Sequence, residues 1–158
     1  MKKKVFVAAS ITGGRETLPF VKFIVRFLQD RGCEVPSVHN AGDNPVQTFV
    51  EKIEDPTATD DNSFRDWDNK WIDEGDLFVA EVSTPSHGVG GEFEHCRLKP
   101  QLGLNLTPIL CLHLRGRNVS PYLTGISERE RDHIWFRPYR NEDDLKDILE
   151  EFLSSFGG

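Results

Sequence analysis

Residues 76–92 read DLFVAEVSTPSHGVGGE, an apolar run that leads directly into a loop rich in glycine. An apolar run of this length is typical of a strand that is buried on both faces, as in the middle of a parallel sheet. The glycines allow the backbone amides of the loop to approach a ligand closely. The stretch therefore predicts a central strand over residues 76–82, a ligand-contacting loop, and a helix over residues 91–98.

Apolar runs and helical patterns alternate along the rest of the chain, which predicts an α/β sandwich with a mostly parallel sheet. Strands are predicted over residues 5–9, 33–39, 108–114 and 134–139, and helices over residues 18–30, 63–74 and 142–156. The polar segment 40–61 is predicted to be a loop with room for a short helix over residues 46–53. Without repeats or a long linker, the 158 residues are expected to form a single domain, residues 1–158.

Composition excludes several classes of partner. The net charge of -7 argues against polymeric nucleic acid and against an anionic membrane surface, and no stretch is apolar enough to span a membrane. The three cysteines, Cys33, Cys96 and Cys111, lie far apart without CxxC spacing, which indicates a reducing compartment and gives no metal signature. The apolar run near the N-terminus is too short for a signal peptide, so a cytoplasmic protein is expected.

Unusual residues follow three of the predicted strands, where an α/β sheet binds its ligands. They are residues 10–15 (SITGGR), His39 and residues 83–92. Ser10, the amides of Gly13 and Gly14, and Arg15 could hold a phosphate or a sugar hydroxyl. The alternative is a tight turn with a solvated arginine, because the sequence matches neither a dinucleotide fingerprint nor a P-loop.

Two carboxylates are candidates for catalysis. Glu92 is expected on the first turn of its helix, where acidic residues are also common merely because they favour the helix dipole. Asp68 borders the apolar face of the helix over residues 63–74 and therefore needs a partner. If the two face each other across a crevice, one can act as a nucleophile and the other can handle protons in glycosidic chemistry. Spacing in the sequence leaves open whether they meet.

Four segments of the chain together resemble the nucleoside 2-deoxyribosyltransferase family, and within it the 2'-deoxynucleoside 5'-phosphate N-hydrolases. They are ASITGGRE, DNKWIDEGDLFVAEV, TPSHGVGGE and, more weakly, ILCLHLRGRNVSPYLTG, so that the resemblance covers most of the chain outside residues 40–62. The resemblance implies a flavodoxin-like or Rossmann-like three-layer fold, a homodimer, and no metal or organic cofactor.

The resemblance also assigns roles to individual residues. Glu92 matches the nucleophilic glutamate of the family and Asp68 its catalytic aspartate. Positions that line the nucleotide pocket in the family fall on Ser10, Ile11, Gly13, Gly14, Arg15, His39, Ser86, Gly88 and Gly90. Ser120 matches a phosphate-contacting serine that, in the hydrolases, comes from the neighbouring subunit.

Several positions distinguish the branches of the family. The transferases use carboxylate and amide groups around a free 5'-hydroxyl, whereas Ser86 and Ser120 are neutral donors suited to a 5'-phosphate. Three residues depart from the hydrolase pattern: Thr12 replaces an arginine, His87 an apolar residue, and Glu94 a small one. Glu94 is expected either to alter helix packing or to bring a third carboxylate near the site.

The expected activity is hydrolysis of 2'-deoxynucleoside 5'-monophosphates through a covalent glycosyl-Glu92 intermediate, which would release free base and 2-deoxyribose 5-phosphate. Three alternatives stay open. They are base exchange between deoxynucleosides, hydrolysis of ribonucleotides such as cytidine monophosphate, and a nucleotide sensor without catalytic activity.

Overall fold

A four-stranded, all-parallel sheet forms the centre of the protein in the computed structural model, which describes residues 2–158. The strands lie in the order β1-β2-β3-β4 and span Val5–Ala8, Leu77–Glu81, Ile109–Leu114 and Ile134–Tyr139. The helices are α1 (Leu18–Asp30), α2 (Pro45–Ile53), α3 (Asp61–Glu74), α4 (His87–Arg97), the single turn α5 (Pro121–Thr124) and α6 (Glu142–Phe156). Short 3-10 helices span Val38–Ala41, Lys99–Leu102 and Glu128–Asp132.

Alternate residues of the strands pack into two separate cores. Val5 and Val7 face a core formed with α1 and α6, whereas Phe6 and Ala8 face a second core formed with α3 and α4. The sheet is therefore covered on both faces, which confirms the predicted three-layer α/β architecture. Within residues 2–158, no helix has the length and apolar character needed to cross a membrane.

The segment predicted as a strand over residues 33–39 is different in the structure. Only Glu34 pairs with the sheet, in a single parallel bridge to Lys4, and the chain then turns into the 3-10 helix. Side chains replace the missing strand: Ser37 Oγ accepts the Val7 N–H at 2.8 Å, and Asn40 Nδ2 donates to the Val7 carbonyl at 2.8 Å. Pro36 contributes to this outcome because it has no N–H for a ladder. The prediction of a strand here was wrong.

Helix α4 begins earlier than its glycines suggest. It starts at His87 instead of residue 91 because the Ser86 hydroxyl accepts the Val89 N–H at 3.3 Å and caps the helix. Glu92 consequently lies in the second turn, so the helix-dipole explanation for a glutamate in the first turn does not apply to it. Helices α1 and α6 have the predicted bounds.

Candidate active site

Residues beyond the carboxyl ends of β1 and β2 line a cavity of about 290 Å³. Five parts of the chain form it: the loop after β1, the 3-10 helix Val38–Ala41, the start of α2, α3, and the start of α4. Six of the residues selected from the sequence lie in its wall: Ile11, His39, Asp68, Ser86, Gly88 and Glu92. The position agrees with the rule that α/β sheets bind ligands at this edge.

A second cavity of about 320 Å³ adjoins the first. The two share Phe64, Asp68, Gly88 and Glu92, so that both carboxylates stand between the cavities. The first cavity is bordered by apolar side chains, among them Ile11, Pro45, Val46 and Val89. The second is polar and is bordered by Asp61, Arg65, Asn69, His87 and His95.

Asp68 and Glu92 come together although they are 24 residues apart in the chain. Burial raises the pKa of Asp68 to about 7. Burial also raises the pKa of Glu92 well above its ordinary value, and the nearby charge of Asp68 raises it further. The pair therefore retains protons at a pH where ordinary carboxyls have lost theirs. One group of such a pair can act as an acid while the other acts as a nucleophile.

His39 contacts the same pair. Its Nε2 lies 3.7 Å from Asp68 Oδ1, and its side chain is 2% exposed. Burial, together with the positive charges of Arg15 and Lys52, lowers the pKa of His39 to about 4. The imidazole is therefore neutral at neutral pH.

Four buried side-chain atoms within residues 2–158 have no hydrogen-bond partner, and all belong to residues selected from the sequence. They are Ser10 Oγ, His39 Nδ1, Asp68 Oδ1 and Glu92 Oε2. A buried polar atom without a partner costs free energy, which a protein tolerates chiefly where a ligand or a reaction needs that atom. Three of these atoms belong to residues that line the first cavity, His39, Asp68 and Glu92, which makes it the candidate functional site.

The loop after β1 serves mainly to build the wall of the cavity. Arg15 is half-buried and donates to the carbonyls of Ser10 at 2.9 Å and Gly42 at 2.6 Å, so it is held against the loop and does not line the cavity. A Cβ on Gly13 would lie 2.6 Å from the Pro85 carbonyl oxygen, and Gly14 has φ +133°, which favours glycine. Both glycines thus have structural reasons to be present.

Ser120 does not line the cavity that holds Glu92. It lies beside a third cavity of about 280 Å³, together with Ser86 and Gly90 at the start of α4. Its hydroxyl accepts the Tyr122 N–H at 3.3 Å and caps α5. Ser86 therefore borders two cavities, and Ser120 reaches only one of them within a single chain.

Glu94 is not a third carboxylate of the site. Its oxygens accept from Arg97, which also donates to Glu130 at 2.6 Å, so Glu94 is directed at an ion-pair network on the far side of α4. The arginine compensates for the large residue at this position.

Two groups of polar residues at or near the site escaped the sequence analysis. His95, which borders the second cavity, has its Nε2 2.8 Å from Asp73 Oδ1. Glu81, buried at the end of β2, accepts from Thr17 Oγ1 at 2.7 Å and from Tyr139 at 3.2 Å. The signal available for Glu81 was a carboxylate inside the apolar run DLFVAEV, where it needs several donors.

A larger cavity of about 850 Å³ lies at the opposite, amino end of the sheet. Lys2, Lys3, Arg31 and Glu150 border it, and Arg31 is paired with Glu150. None of the four unpartnered atoms belongs to it, so its size alone does not make it a site. Among residues 2–158, no three His, Cys, Asp or Glu side chains are grouped as metal ligands.

Comparison with known proteins identifies the family. No protein-family model matches the chain. A 2'-deoxynucleoside 5'-phosphate N-hydrolase 1 of Methanosarcina mazei is 32% identical over 152 residues, 96% of this chain and 84% of the relative. A protein of the same name from Methanococcoides burtonii is 37% identical over 122 residues, 77% of this chain and 89% of the relative. The chain belongs to the 2'-deoxynucleoside 5'-phosphate N-hydrolase family.

Further similarities agree with membership of the N-hydrolase family. The 5-hydroxymethyl-dUMP N-hydrolase of Danio rerio is 31% identical over 153 residues, 96% of each chain. Among solved structures, a CMP N-glycosidase of Clostridium botulinum has a TM-score of 0.61 at 20% identity, and the match covers 96% of this chain and 100% of the other. At that identity the likeness establishes the fold alone. The protein is thus an N-glycosidase with the predicted fold, and the resemblance inferred from its sequence is confirmed.

Proposed function

We propose that this N-hydrolase cleaves the N-glycosidic bond of 2'-deoxynucleoside 5'-monophosphates and releases free base and 2-deoxyribose 5-phosphate. The observation that carries the proposal is the unpartnered pair Asp68 and Glu92, which is buried between two cavities and whose pKa values burial raises. The names of relatives 31–37% identical support a deoxynucleotide substrate.

The reaction divides into two displacements at C1'. The pair shares one proton, and the reactive form of the site carries it on Asp68. Glu92 then attacks C1' as a carboxylate while the bond from C1' to the base breaks, and Asp68 gives its proton to the departing base. Water then attacks C1', the ester bond to Glu92 breaks, and Asp68 recovers a proton from that water. The pair begins and ends with the same number of protons. A 2'-deoxy sugar assists because an electron-withdrawing 2'-hydroxyl would destabilise the oxocarbenium-like transition state.

The wall of the first cavity suggests how the nucleotide lies. Pro45, Val46 and Phe64 offer apolar surface for the flat base, and Phe64 is held in place by stacking on Phe49 at 4.2 Å. The neutral hydroxyl of Ser86, at the capped start of α4, suits an anionic 5'-phosphate better than a carboxylate would.

A second serine is proposed to reach the phosphate from a neighbouring copy of the chain. Ser120 sits beside the start of α4 but outside the cavity of its own Glu92, which supports a homodimer with shared sites. Mixing a Glu92→Ala chain with a Ser120→Ala chain tests this. One site of each mixed dimer would regain both residues, so activity at low substrate should rise above that of either variant alone. Activity equal to the average of the two variants would contradict shared sites.

The main experiment compares substrates. The four deoxynucleoside monophosphates, the matching deoxynucleosides and the ribonucleoside monophosphates are incubated with the protein, and free base is followed by chromatography. Base released preferentially from the deoxynucleoside monophosphates supports the proposal, whereas exchange among deoxynucleosides would indicate a transferase.

A pair of variants tests the role of Glu92. Glu92→Gln should lower base release about a thousandfold or more, because the nucleophile is gone. Asp66→Asn, which removes an exposed carboxylate from α3, is the matched control and should keep parental activity. Parental turnover in Glu92→Gln would exclude the covalent mechanism.

A further inference from the structure

The imidazole of His39 has a fixed orientation. Its ring lies against Phe49 and Trp71, with centroid distances of 5.4 Å and 5.6 Å, in the core between α2 and α3. Phe49 is fully buried and Trp71 nearly so, which leaves the ring little room to turn. The two ring nitrogens therefore have distinct and stable surroundings.

Hydrogen bonding decides which nitrogen carries the proton. Nδ1 is buried and has no acceptor within hydrogen-bond distance. A buried N–H without an acceptor is more costly than an unused lone pair, so Nδ1 is the unprotonated nitrogen. The doubly protonated ring is disfavoured as well, because it would place an N–H at Nδ1 and a charge near Arg15 and Lys52. The proton consequently resides on Nε2.

The Nε2–H group faces an oxygen that lacks a partner. Asp68 Oδ1, which is buried without a hydrogen bond, lies 3.7 Å away, and both side chains border the first cavity. We infer that His39 is a positioning residue for Asp68: its neutral Nε2–H holds Oδ1, so that Oδ2 is presented to the base. This role rests on the proposed function, and it differs from the direct contact with the nucleotide that the sequence suggested.

The contact between His39 and Asp68 strengthens as Asp68 gives up its proton. While Asp68 is protonated, Nε2–H faces a neutral oxygen at 3.7 Å. Once the proton has passed to the departing base, the oxygen is negative, and an N–H donor to a carboxylate makes a shorter and stronger hydrogen bond. His39 would therefore stabilise the ionised form of Asp68 and make it a better acid.

Other charged groups near the pair come from several elements of the fold. Arg15 and Lys52 act on His39, and the charge of Asp68 acts on Glu92 of α4. Arg65, His87 and His95 border the second cavity, which Asp68 also lines. The variants below leave all of these groups unchanged, so a shift in the pH profile reports on the contact with Asp68.

Two amide variants of His39 distinguish the roles of its two ring nitrogens. Glutamine places its NH₂ where Nε2 was, whereas asparagine reaches only the position of Nδ1. His39→Gln should keep kcat within about threefold, and His39→Asn should lower it about tenfold or more, which is the range for loss of a hydrogen bond to a charged group. In His39→Asn the alkaline limb of the kcat profile should also move to higher pH, because the pKa of Asp68 rises without its donor.

Failure of the inference about His39 can be distinguished from failure of the proposed function. If the wild-type protein releases no base from any nucleotide, the proposed function fails before the variants are compared. If it does release base and the two variants lose equal activity with unchanged pH profiles, His39 acts only through packing and the inference is overturned. A ¹⁵N histidine spectrum of the wild-type protein gives an independent reading that needs no variant. A proton on Nε2 supports the inference, and a proton on Nδ1 overturns it.

Discussion

Glu81 is buried and Glu92 is half-buried with one buried oxygen, both near the carboxyl edge of the sheet, but their hydrogen bonding differs. Glu81 accepts from Thr17, Ser83 and Tyr139, so its oxygens are fully used. Glu92 keeps one buried oxygen with no partner. Lys99, at the amino end of the sheet, resembles Glu81: it donates to the carbonyls of Ile72 at 2.9 Å and Gly75 at 3.1 Å.

This difference in hydrogen bonding distinguishes a buried charge that stabilises the fold from one that is available for a reaction. A satisfied buried charge connects elements of the fold, as Lys99 connects the end of α3 to the segment before β3 by also donating to Thr107 Oγ1 at 2.6 Å. A buried charge without hydrogen-bond partners lowers the stability of the fold, and a protein retains it where a ligand or a reaction needs it. Substitution should therefore have opposite effects on stability at the two kinds of position.

The largest effect on stability is expected at Lys99. Lys99→Met keeps a long unbranched chain but leaves the carbonyls at the end of α3 without their donor, so the free energy of unfolding should fall by about 2–4 kcal/mol. The kcat of the folded protein should stay near parental. Denaturant unfolding and base-release assays measure the two quantities.

Lys146→Met, at an exposed position on α6, is the matched control and should change stability by less than about 0.5 kcal/mol. Equal stability of the two variants would mean that the hydrogen bonds of Lys99 do not stabilise the fold.

Substitution of Asp68 is expected to raise the stability of the fold. The pKa of its carboxyl is raised to about 7 in the folded protein, so ionisation favours the unfolded state, and stability falls as pH rises from about 4 towards 7. Asp68→Asn cannot ionise and should be more stable than the wild-type protein by about 1–3 kcal/mol above pH 7. The same change should abolish most activity.

The stability difference between Asp68→Asn and the wild-type protein should shrink towards zero as pH falls below about 4, where the aspartate becomes neutral in the unfolded state as well. Thermal unfolding across this pH range measures it, with Asp66→Asn as the control. A variant that is less stable than the wild type at pH 8 would show that burial of Asp68 carries no penalty.

The smallest effect is expected at Glu130, in the ion-pair network of α4. Hydrogen bonds from Arg97 first, and then from Ser127, lower the pKa of Glu130 to about 2, so its contribution is present above about pH 4.5 and is lost as pH falls towards 2. The pair is partly solvated, so Glu130→Gln should cost less than about 1 kcal/mol at neutral pH. The cost should vanish in acid, and a cost that grows on acidification would contradict this assignment.

Sequence patterns located most of the regular elements and selected Asp68 and Glu92 as candidates for catalysis. Apolar runs located β2 and β3 because a strand buried on both faces has few other interpretations. Glu92 and Asp68 were selected because the resemblance joined two motifs that lie far apart in the chain. His39 was placed at the cavity correctly, although the strand predicted to carry it is a 3-10 helix.

Other features depended on contacts that no local pattern encodes. Arg15 could be assigned to a phosphate from its loop, but the carbonyl of Gly42, 27 residues away, holds it in place. Glu94 looked like a third acid until Arg97 and Glu130 were seen to face it. The early start of α4 follows from the Ser86 cap, whose effect outweighed the glycines that follow.

The amino-acid sequence by itself determined the α/β class, the alternation of strands and helices that favours a mostly parallel sheet, and the residue types available for glycosidic chemistry, because periodicity and motif order are local properties of the chain. Only the tertiary structure decided which of those residues are left without partners. Hydrogen-bond satisfaction depends on neighbours brought from distant segments, and it separates the structural Glu81 from Glu92, the proposed nucleophile.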